Sequence, residues 1–454
     1  MAAQILRGGA EAAGTVNDVE LRLGPVAHGG HTVARHEGRV VFVRHGLPGE
    51  LVRVRLTDTE PERRFWRGDV VEVLEGSPER RPHVWAPADS LEAYASGSLP
   101  VGGAEFGHIA LAEQRRLKGV VIREQLARLA HLDLEVDVEA VGPEGGSPGA
   151  DGLHWRTRCS FAVDDDGRLA MHAHRSETVI PVRDMPLAVE EIERLGLWDA
   201  DLSGVERVEV AAPASGDTPL VIFTLAEDLG SARLSALAGA VATDASVSVI
   251  SPRGGAPLTL RGRGSVSEQA GGHHYTVTGE GFWQIHHRAP ETLMAAVLDA
   301  VGPEIDEGAS VADLYAGAGL FTAPLAARVG PSGSVLSVEG SPGTSRDARR
   351  TFKRQAQVDV VQGRVERVLR QRAGERLDAV VLDPPRAGAG REVVRQLVAA
   401  APRAVAYVAC DPASFARDLG WFLEAGWSLE WLRALDLYPQ THHVETVALL
   451  KPGS

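Results

Sequence analysis

Apolar and polar side chains alternate in five short runs near the start of the chain, at 19–23, 31–35, 39–43, 50–55 and 66–71. A two-residue period is that of a half-buried strand, and Gly29-Gly30, Glu37-Gly38 and Leu47-Pro48-Gly49 supply turns between runs. Five short strands with tight turns predict a small closed β-barrel over 15–75, preceded by a flexible lead over 1–15. Barrels of this kind often bind oligonucleotides on one face. Residues 76–107 are rich in Pro, Gly and Ala and read as irregular. Ala110, Leu111, Leu117, Val120, Val121, Leu126 and Leu129 recur at helical spacing and predict a helix over 108–131. From 132 to 280, strand-like runs such as 155–163 alternate with turns such as Asp164-Asp165-Asp166-Gly167. The whole stretch 76–280 reads as a mixed α/β middle domain without a chemical motif of its own.

Past residue 281 the rhythm changes. After a helix at 289–301, strands near 310–315, 333–338, 357–361, 377–382, 404–409, 427–435 and 443–450 alternate with helices near 319–328, 342–355, 364–372, 389–401 and 413–424. Repeated βα units predict a parallel sheet with right-handed crossovers. The last two strands are joined only by 437–441, so they pair antiparallel. A mostly parallel sheet closed by such a hairpin is the Rossmann-like α/β arrangement of S-adenosylmethionine-dependent methyltransferases, by analogy of fold over 281–454.

Composition bounds the class. The 454 residues carry a net charge of −14, which argues against a generally basic nucleic-acid binder and leaves room for a local basic groove. No apolar run approaches the ~18 residues of a membrane span. The first residues lack the basic-then-apolar order of a signal peptide. Two cysteines cannot build a disulfide framework, so a reducing cytoplasm is expected.

The candidate chemistry gathers at predicted strand ends. Asp313-Leu314-Tyr315-Ala316-Gly317-Ala318-Gly319-Leu320-Phe321 runs from a strand through small residues into a helix. Gly317 and Gly319 let the backbone approach a nucleotide-like cofactor closely. Glu339, ending the next strand, is placed to hold a ribose diol, or else serves as a helix-start carboxylate. Asp383-Pro384-Pro385-Arg386 ends the fourth strand; its Pro pair fixes the backbone. Cys410-Asp411-Pro412 follows the apolar run 404–409 and offers a nucleophile, the alternative being a small buried core residue. Glu445 leads into the last strand, where burial would raise its pKa and suit it to proton abstraction. His442 and His443 read as surface turn residues. A thiol, a base and Asp383 beside a methyl-donor site point to methylation of a pyrimidine C5: the thiolate adds to C6, the ring becomes an enolate, and a base later removes the C5 proton. The target must lie outside a stacked helix. Phe282 and Arg386 are candidates for stacking on it.

At these residues the chain resembles the RNA uracil-5-methyltransferase family. The residues 15–75 look like that family's small RNA-binding (TRAM/OB-like) barrel. Phe282-Trp283-Gln284 resembles its F-x-Q signature, Asp313 to Phe321 its cofactor loop, Asp383-Pro384-Pro385-Arg386 its strand-four motif, Cys410-Asp411-Pro412 its nucleophile motif and Thr441-His442-His443-Val444-Glu445 its closing motif. The resemblance implies S-adenosylmethionine bound by Gln284, Tyr315, Gly317, Gly319, Glu339 and Asp383, with Cys410 as nucleophile, Glu445 as base, and Asp383 also touching the target base. It implies an RNA partner, with ribosomal RNA expected ahead of transfer RNA; no membrane partner is expected, and the sequence leaves the oligomeric state open, a monomer being the expectation. Two departures stand out. His286 occupies a position where the family commonly has Asn. The cysteines that hold an iron–sulfur cluster in many ribosomal-RNA members are missing: 81–108 has none, Met185 precedes Pro186, and Cys159 stands alone. A cluster needs four thiolates, so none is expected, nor is any metal site. The other readings are an RNA cytosine-5-methyltransferase, a non-catalytic RNA-binding folding factor and a small-molecule methyltransferase.

Overall fold

A computed structural model describes residues 18–142 and 151–453, apart from 61, 243 and 280. The predicted lead 1–15 lies outside the described residues. At the front, six strands form one curled sheet in the order Asp18–Arg22, Leu51–Asp58, Phe65–Glu75, Arg39–Arg44, His31–His36, Val26–Ala27. All pairs are antiparallel except Arg39–Arg44 with Phe65–Glu75, which is parallel. The sheet curls back on itself where Gly24 N–H donates to the Val33 carbonyl at 2.8 Å and Val33 N–H donates to the Pro25 carbonyl at 3.0 Å. A Cβ on Gly24 would stand 2.7 Å from the Val33 oxygen, so the closure depends on glycine there. Inward-facing Leu21, Leu23, Ala34, Val41, Val43, Val52, Val54 and Val70 fill the interior. These are the apolar members of the alternating runs.

The middle segment carries a seven-stranded mixed sheet, in the order Val179–Pro181, Leu169–His172, Arg158–Val163, Val205–Ala211, Leu220–Leu225, Ser246–Ile250, Leu258–Arg261. Helix Ser231–Ala240 makes the crossover between the parallel pair Leu220–Leu225 and Ser246–Ile250. Parts of 76–280 belong elsewhere. Helix Leu111–Gln125 and the turn that continues it pack on helix Pro412–Glu424, and Ile122, Leu126 and Ala130 share the core of the C-terminal sheet. Strand Val138–Ala140 adds to that sheet's edge. The hairpin of Ser265–Ala270 and His273–Thr278 also packs there: Val266, Ala270, Tyr275 and Val277 join the core around helix Ala289–Val301. The stretch read as irregular contains a short helix, Ser90–Ala95, capped by Asp89.

The C-terminal sheet has strands β1 (Ser310–Leu314), β2 (Ser334–Glu339), β3 (Val358–Gln362), β4 (Ala379–Leu382), β5 (Ala404–Ala409), β6 (Trp427–Asp436) and β7 (Glu445–Pro452), in the order β3-β2-β1-β4-β5-β7-β6. β1 to β5 run parallel, and β7 is antiparallel to both β5 and β6. Both faces are covered. In β5, Ala404, Ala406 and Val408 pack on the side of helix Ala289–Val301, while Val405, Tyr407 and Ala409 pack on the side of helix Pro412–Glu424. This is why the run is continuously apolar. Among the described residues, no helix is long and apolar enough to cross a membrane.

Gly319 marks the tightest joint between sheet and helix. Its φ is +97°, and a Cβ there would meet the Phe352 ring at 2.2 Å. Gly319→Ala is expected to destabilise the fold by about 1–3 kcal/mol through this overpacking. Thermal unfolding checks it, and an unchanged midpoint would contradict the assignment.

Candidate active site

Apart from Gly319, the candidate residues of the C-terminal domain sit at one end of this sheet. Parallel strands β1, β2, β4 and β5 all end there, delivering Tyr315, Glu339, Asp383 and Cys410, while antiparallel β7 begins there with Glu445. The crevice beyond the carboxyl ends of parallel strands is where open α/β sheets bind ligands. Here it is a cleft of about 910 Å³ lined by these five residues and by Phe282, Gln284, Gly317 and Arg386.

The half near β1 and β2 is built from backbone. Tyr315 adopts φ +64° and Gly317 φ +57°, turning the chain sharply out of β1. The Glu339 carboxylate accepts from Gly317 N–H at 2.9 Å and from Ser341 N–H at 2.6 Å, so it is fixed in orientation at the cleft wall. A Cβ on Gly317 would meet only Phe282, at 3.9 Å, which leaves the loop's face open to a flat ring. Beneath it, Asp313 is fully buried; Thr322 Oγ1 donates to one of its oxygens at 2.5 Å, and the other has no partner. Burial pushes the Asp313 carboxyl up to about 7. A fixed carboxylate for a diol, an open glycine face and a cleft of ligand size fit an adenosyl group.

The half near β5 and β7 gathers a thiol and carboxyls. β5 and β7 pair Ala409 with Thr446, so Cys410 and Glu445 occupy the next rung across the strand ends. Burial, with the Glu445 and Asp383 carboxyls nearby, pushes the Cys410 thiol up to about 12, and the Arg386 guanidinium opposes this. Burial and Asp383 push Glu445 up to about 8. Burial, then Asp313 and Glu339, push Asp383 up to about 7. Two carboxyls with raised pKa, Asp383 and Glu445, thus stand beside a strand-end thiol in one cleft, a combination common at functional sites.

The loops around these groups are tied down. Asp411 caps helix Pro412–Glu424 by accepting from Ser414 N–H at 2.8 Å, and its other oxygen pairs with His28 Nε2 of the barrel at 2.8 Å. The loop after Asp383 is held by Asp418, which accepts from Ala389 N–H at 2.7 Å and from the Tyr407 hydroxyl at 2.7 Å.

Comparison with known proteins agrees with this geometry. Residues 17–71 match the TRAM domain family, residues 364–452 the tRNA (Uracil-5-)-methyltransferase family, and residues 284–367 the protein-L-isoaspartate(D-aspartate) O-methyltransferase family. An uncharacterized RNA methyltransferase of Streptomyces avermitilis is 43% identical over 96% of this chain and 99% of its own length. Another, of Streptomyces coelicolor, is 41% identical over 96% and 93%. The chain belongs to the RNA uracil-5-methyltransferase family. The tRNA (uracil-54, C5)-methyltransferase of Pyrococcus abyssi, solved with S-adenosyl-L-homocysteine, shares the fold: its TM-score is 0.68 at 20% identity, over 95% of this chain and 99% of that one. The protein is an S-adenosylmethionine-dependent RNA methyltransferase, with S-adenosylmethionine as methyl donor.

Within this family member the structure brings together Phe282, Gln284, Tyr315, Gly317, Glu339, Asp383, Arg386, Cys410 and Glu445 around one cleft, while Gly319 sits behind it against Phe352. His443 departs from the sequence reading. It is no surface turn residue: it lines the cleft, faces Arg386 Nη2 at 3.3 Å, and stands edge-on to the Tyr438 ring at 6.0 Å. His286, where the family commonly has Asn, is buried and stacked on Trp155 at 5.6 Å. Met185 and Cys159 are both core residues of the middle segment, and burial pushes the Cys159 thiol up to about 11.

Tyr438, Glu105 and Trp155 also line the cleft and carried no signal in the sequence. Tyr438 is the most consequential. Its hydroxyl donates to Glu445 Oε2 at 2.9 Å, and its carbonyl accepts from Lys118, which is buried against Asp436 at 2.6 Å. Donation to the carboxylate lowers the Glu445 pKa. Tyr438→Phe removes the donor, so the Glu445 pKa rises further. The rising limb of rate against pH is then expected to move to higher pH, with roughly a tenfold loss at neutral pH. An unmoved limb would contradict a positioning role for Tyr438.

Proposed function

We propose that this protein methylates C5 of a uridine in structured RNA through a covalent bond between Cys410 and C6. The observation that carries this is the pairing of a strand-end thiol with a buried carboxylate one rung away, beside a glycine-lined adenosyl cleft. Gln284, Tyr315, Gly317 and Glu339 hold S-adenosylmethionine, which supplies an electrophilic methyl group there.

The chain's own residues do the rest. Cys410 is half-buried at the rim, and its thiol proton leaves to water with Arg386 favouring the anion. The Cys410 thiolate adds to C6, and negative charge moves toward O4. A neutral Asp383 carboxyl, with its pKa pushed up to about 7, donates a hydrogen bond at the O4/N3 edge. Once C5 is methylated, the Glu445 carboxylate takes the C5 proton, the C6–S bond breaks, and Cys410 leaves as thiolate. Phe282 is 59% exposed and Arg386 lies at the rim; both are placed to stack on a nucleotide drawn out of its helix. Action as a monomer in the cytoplasm is part of the same reading.

Incubation with labelled S-adenosylmethionine and total RNA, followed by nucleoside analysis, tests the product. The expected product is 5-methyluridine. 5-Methylcytidine would instead establish the cytosine-5 reading. Separating ribosomal from transfer RNA beforehand identifies the source. Ribosomal RNA is the expected source, although the barrel does not choose between them: the solved Pyrococcus abyssi structure that also spans it is a transfer-RNA enzyme.

A further inference from the structure

We infer that His45, His83 and His108 form a divalent transition-metal site that pins the front barrel to the segment lining the cleft. One ring nitrogen from each lies within 4.8 Å of the others. The three ring centroids stand 6.0, 6.2 and 6.5 Å apart, a closed triangle. His45 and His108 are 5% and 3% exposed, and all four of their ring nitrogens lack a hydrogen-bond partner. Buried polar groups without partners are rare, and two whole imidazoles facing a third call for a ligand.

The third histidine is prepared for ligation. His83 Nε2 faces the Ala104 carbonyl at 3.0 Å, and a proton there leaves Nδ1 as the unprotonated, accepting nitrogen. Donation of the second ring N–H to a backbone carbonyl is how metal-ligating histidines are oriented. The contact from Trp85 N–H to Nδ1, at 3.0 Å, is the one hydrogen bond a metal would displace.

The surroundings hold the triangle in place. His45 adopts φ +61°, an unfavourable conformation for a side chain of this size, just after strand Arg39–Arg44. Its carbonyl accepts from Arg80 Nη2 at 2.8 Å, and the His108 carbonyl accepts from Arg81 N–H at 2.8 Å. The two guanidiniums beside the site are neutralised, Arg44 by Asp69 at 2.6 Å and Arg80 by Glu50 at 2.7 Å.

Three imidazoles with no thiolate among them select zinc or a similar borderline cation, with the fourth position open to water. The three residues are far apart in sequence, so no spacing motif revealed them. A metal there would fix the 103–108 loop. Within that loop Glu105 lines the cleft and faces His442 at 3.6 Å, and Phe106 N–H donates to the Gln440 carbonyl at 2.9 Å. The metal would thereby steady the turn that carries Tyr438 and Glu445.

The test uses untagged, chelator-stripped full chain titrated with zinc alone, then with cobalt(II) alone. The expected result is one saturable zinc per chain, a raised melting temperature, and intense cobalt absorption bands of a low-coordinate nitrogen site. His45→Gln and His108→Gln should each lose that equivalent while still binding S-adenosylmethionine. If neither variant folds, the wild-type cobalt spectrum decides. No saturable zinc, undiminished binding in both variants, or only the weak bands of six-coordinate cobalt would overturn the site.

Discussion

Cys410→Ala is expected to abolish methyl transfer and to leave S-adenosylmethionine binding at its wild-type strength. The two halves of the cleft make these effects separable. The proposed cofactor wall is built from the loop after β1 and the end of β2, with Glu339 held by Gly317 and Ser341, and none of these bonds involves Cys410. The thiol sits on β5, across the cleft, where its raised pKa reflects burial and carboxyl neighbours rather than any hydrogen bond that supports the fold. Truncation to Ala therefore removes the nucleophile and little else. Equilibrium binding of S-adenosylmethionine and a turnover assay on total RNA check the two halves. Retained turnover would return the folding-factor reading, and loss of cofactor binding would make Cys410 a structural residue.

Glu445→Gln has a different signature. The amide keeps the shape of the side chain and can still accept from Tyr438, but it cannot take a proton from C5. Addition and methylation proceed, and elimination stalls. Turnover is expected to fall by about 10²–10⁴-fold, the usual range for a lost general base. A protein–RNA adduct that survives denaturation should also build up on ordinary uridine RNA. A Cys410→Ala/Glu445→Gln double variant should form none. Loss of turnover without an adduct would place Glu445 before the addition step and contradict its role as the final base.

The parts of this site that were legible in the sequence are those the sheet presents locally. A continuous apolar run ended by a turn residue is a buried parallel strand, so Tyr315, Glu339, Asp383 and Cys410 could be placed at a common edge before any coordinates were known. The short 437–441 link required β6 and β7 to pair, which brought Glu445 to the same edge. The alternating runs marked five of the six strands of the front sheet for the same reason; Val26–Ala27 is too short to show a period. What could not be read depends on contacts distant in the chain. Tyr438 reads as a loop tyrosine until Lys118, from a helix more than three hundred residues earlier, holds its carbonyl. His443 reads as a surface residue until Arg386 and Tyr438 close over it. Strand Val138–Ala140 and helix Leu111–Gln125 have ordinary local patterns; only packing shows that they complete the C-terminal sheet and its core.

The central claim is a covalent bond from Cys410 to C6 of a uridine that must later lose its C5 proton. RNA in which uridine is replaced by 5-fluorouridine tests it directly, because fluorine at C5 leaves no proton for Glu445 to remove. The account predicts a stable protein–RNA adduct that needs S-adenosylmethionine, appears with wild-type protein and is absent with Cys410→Ala. Sequencing of the attached RNA then names the target. Wild-type protein that methylates ordinary RNA but forms no adduct with the fluorinated RNA would contradict the covalent mechanism.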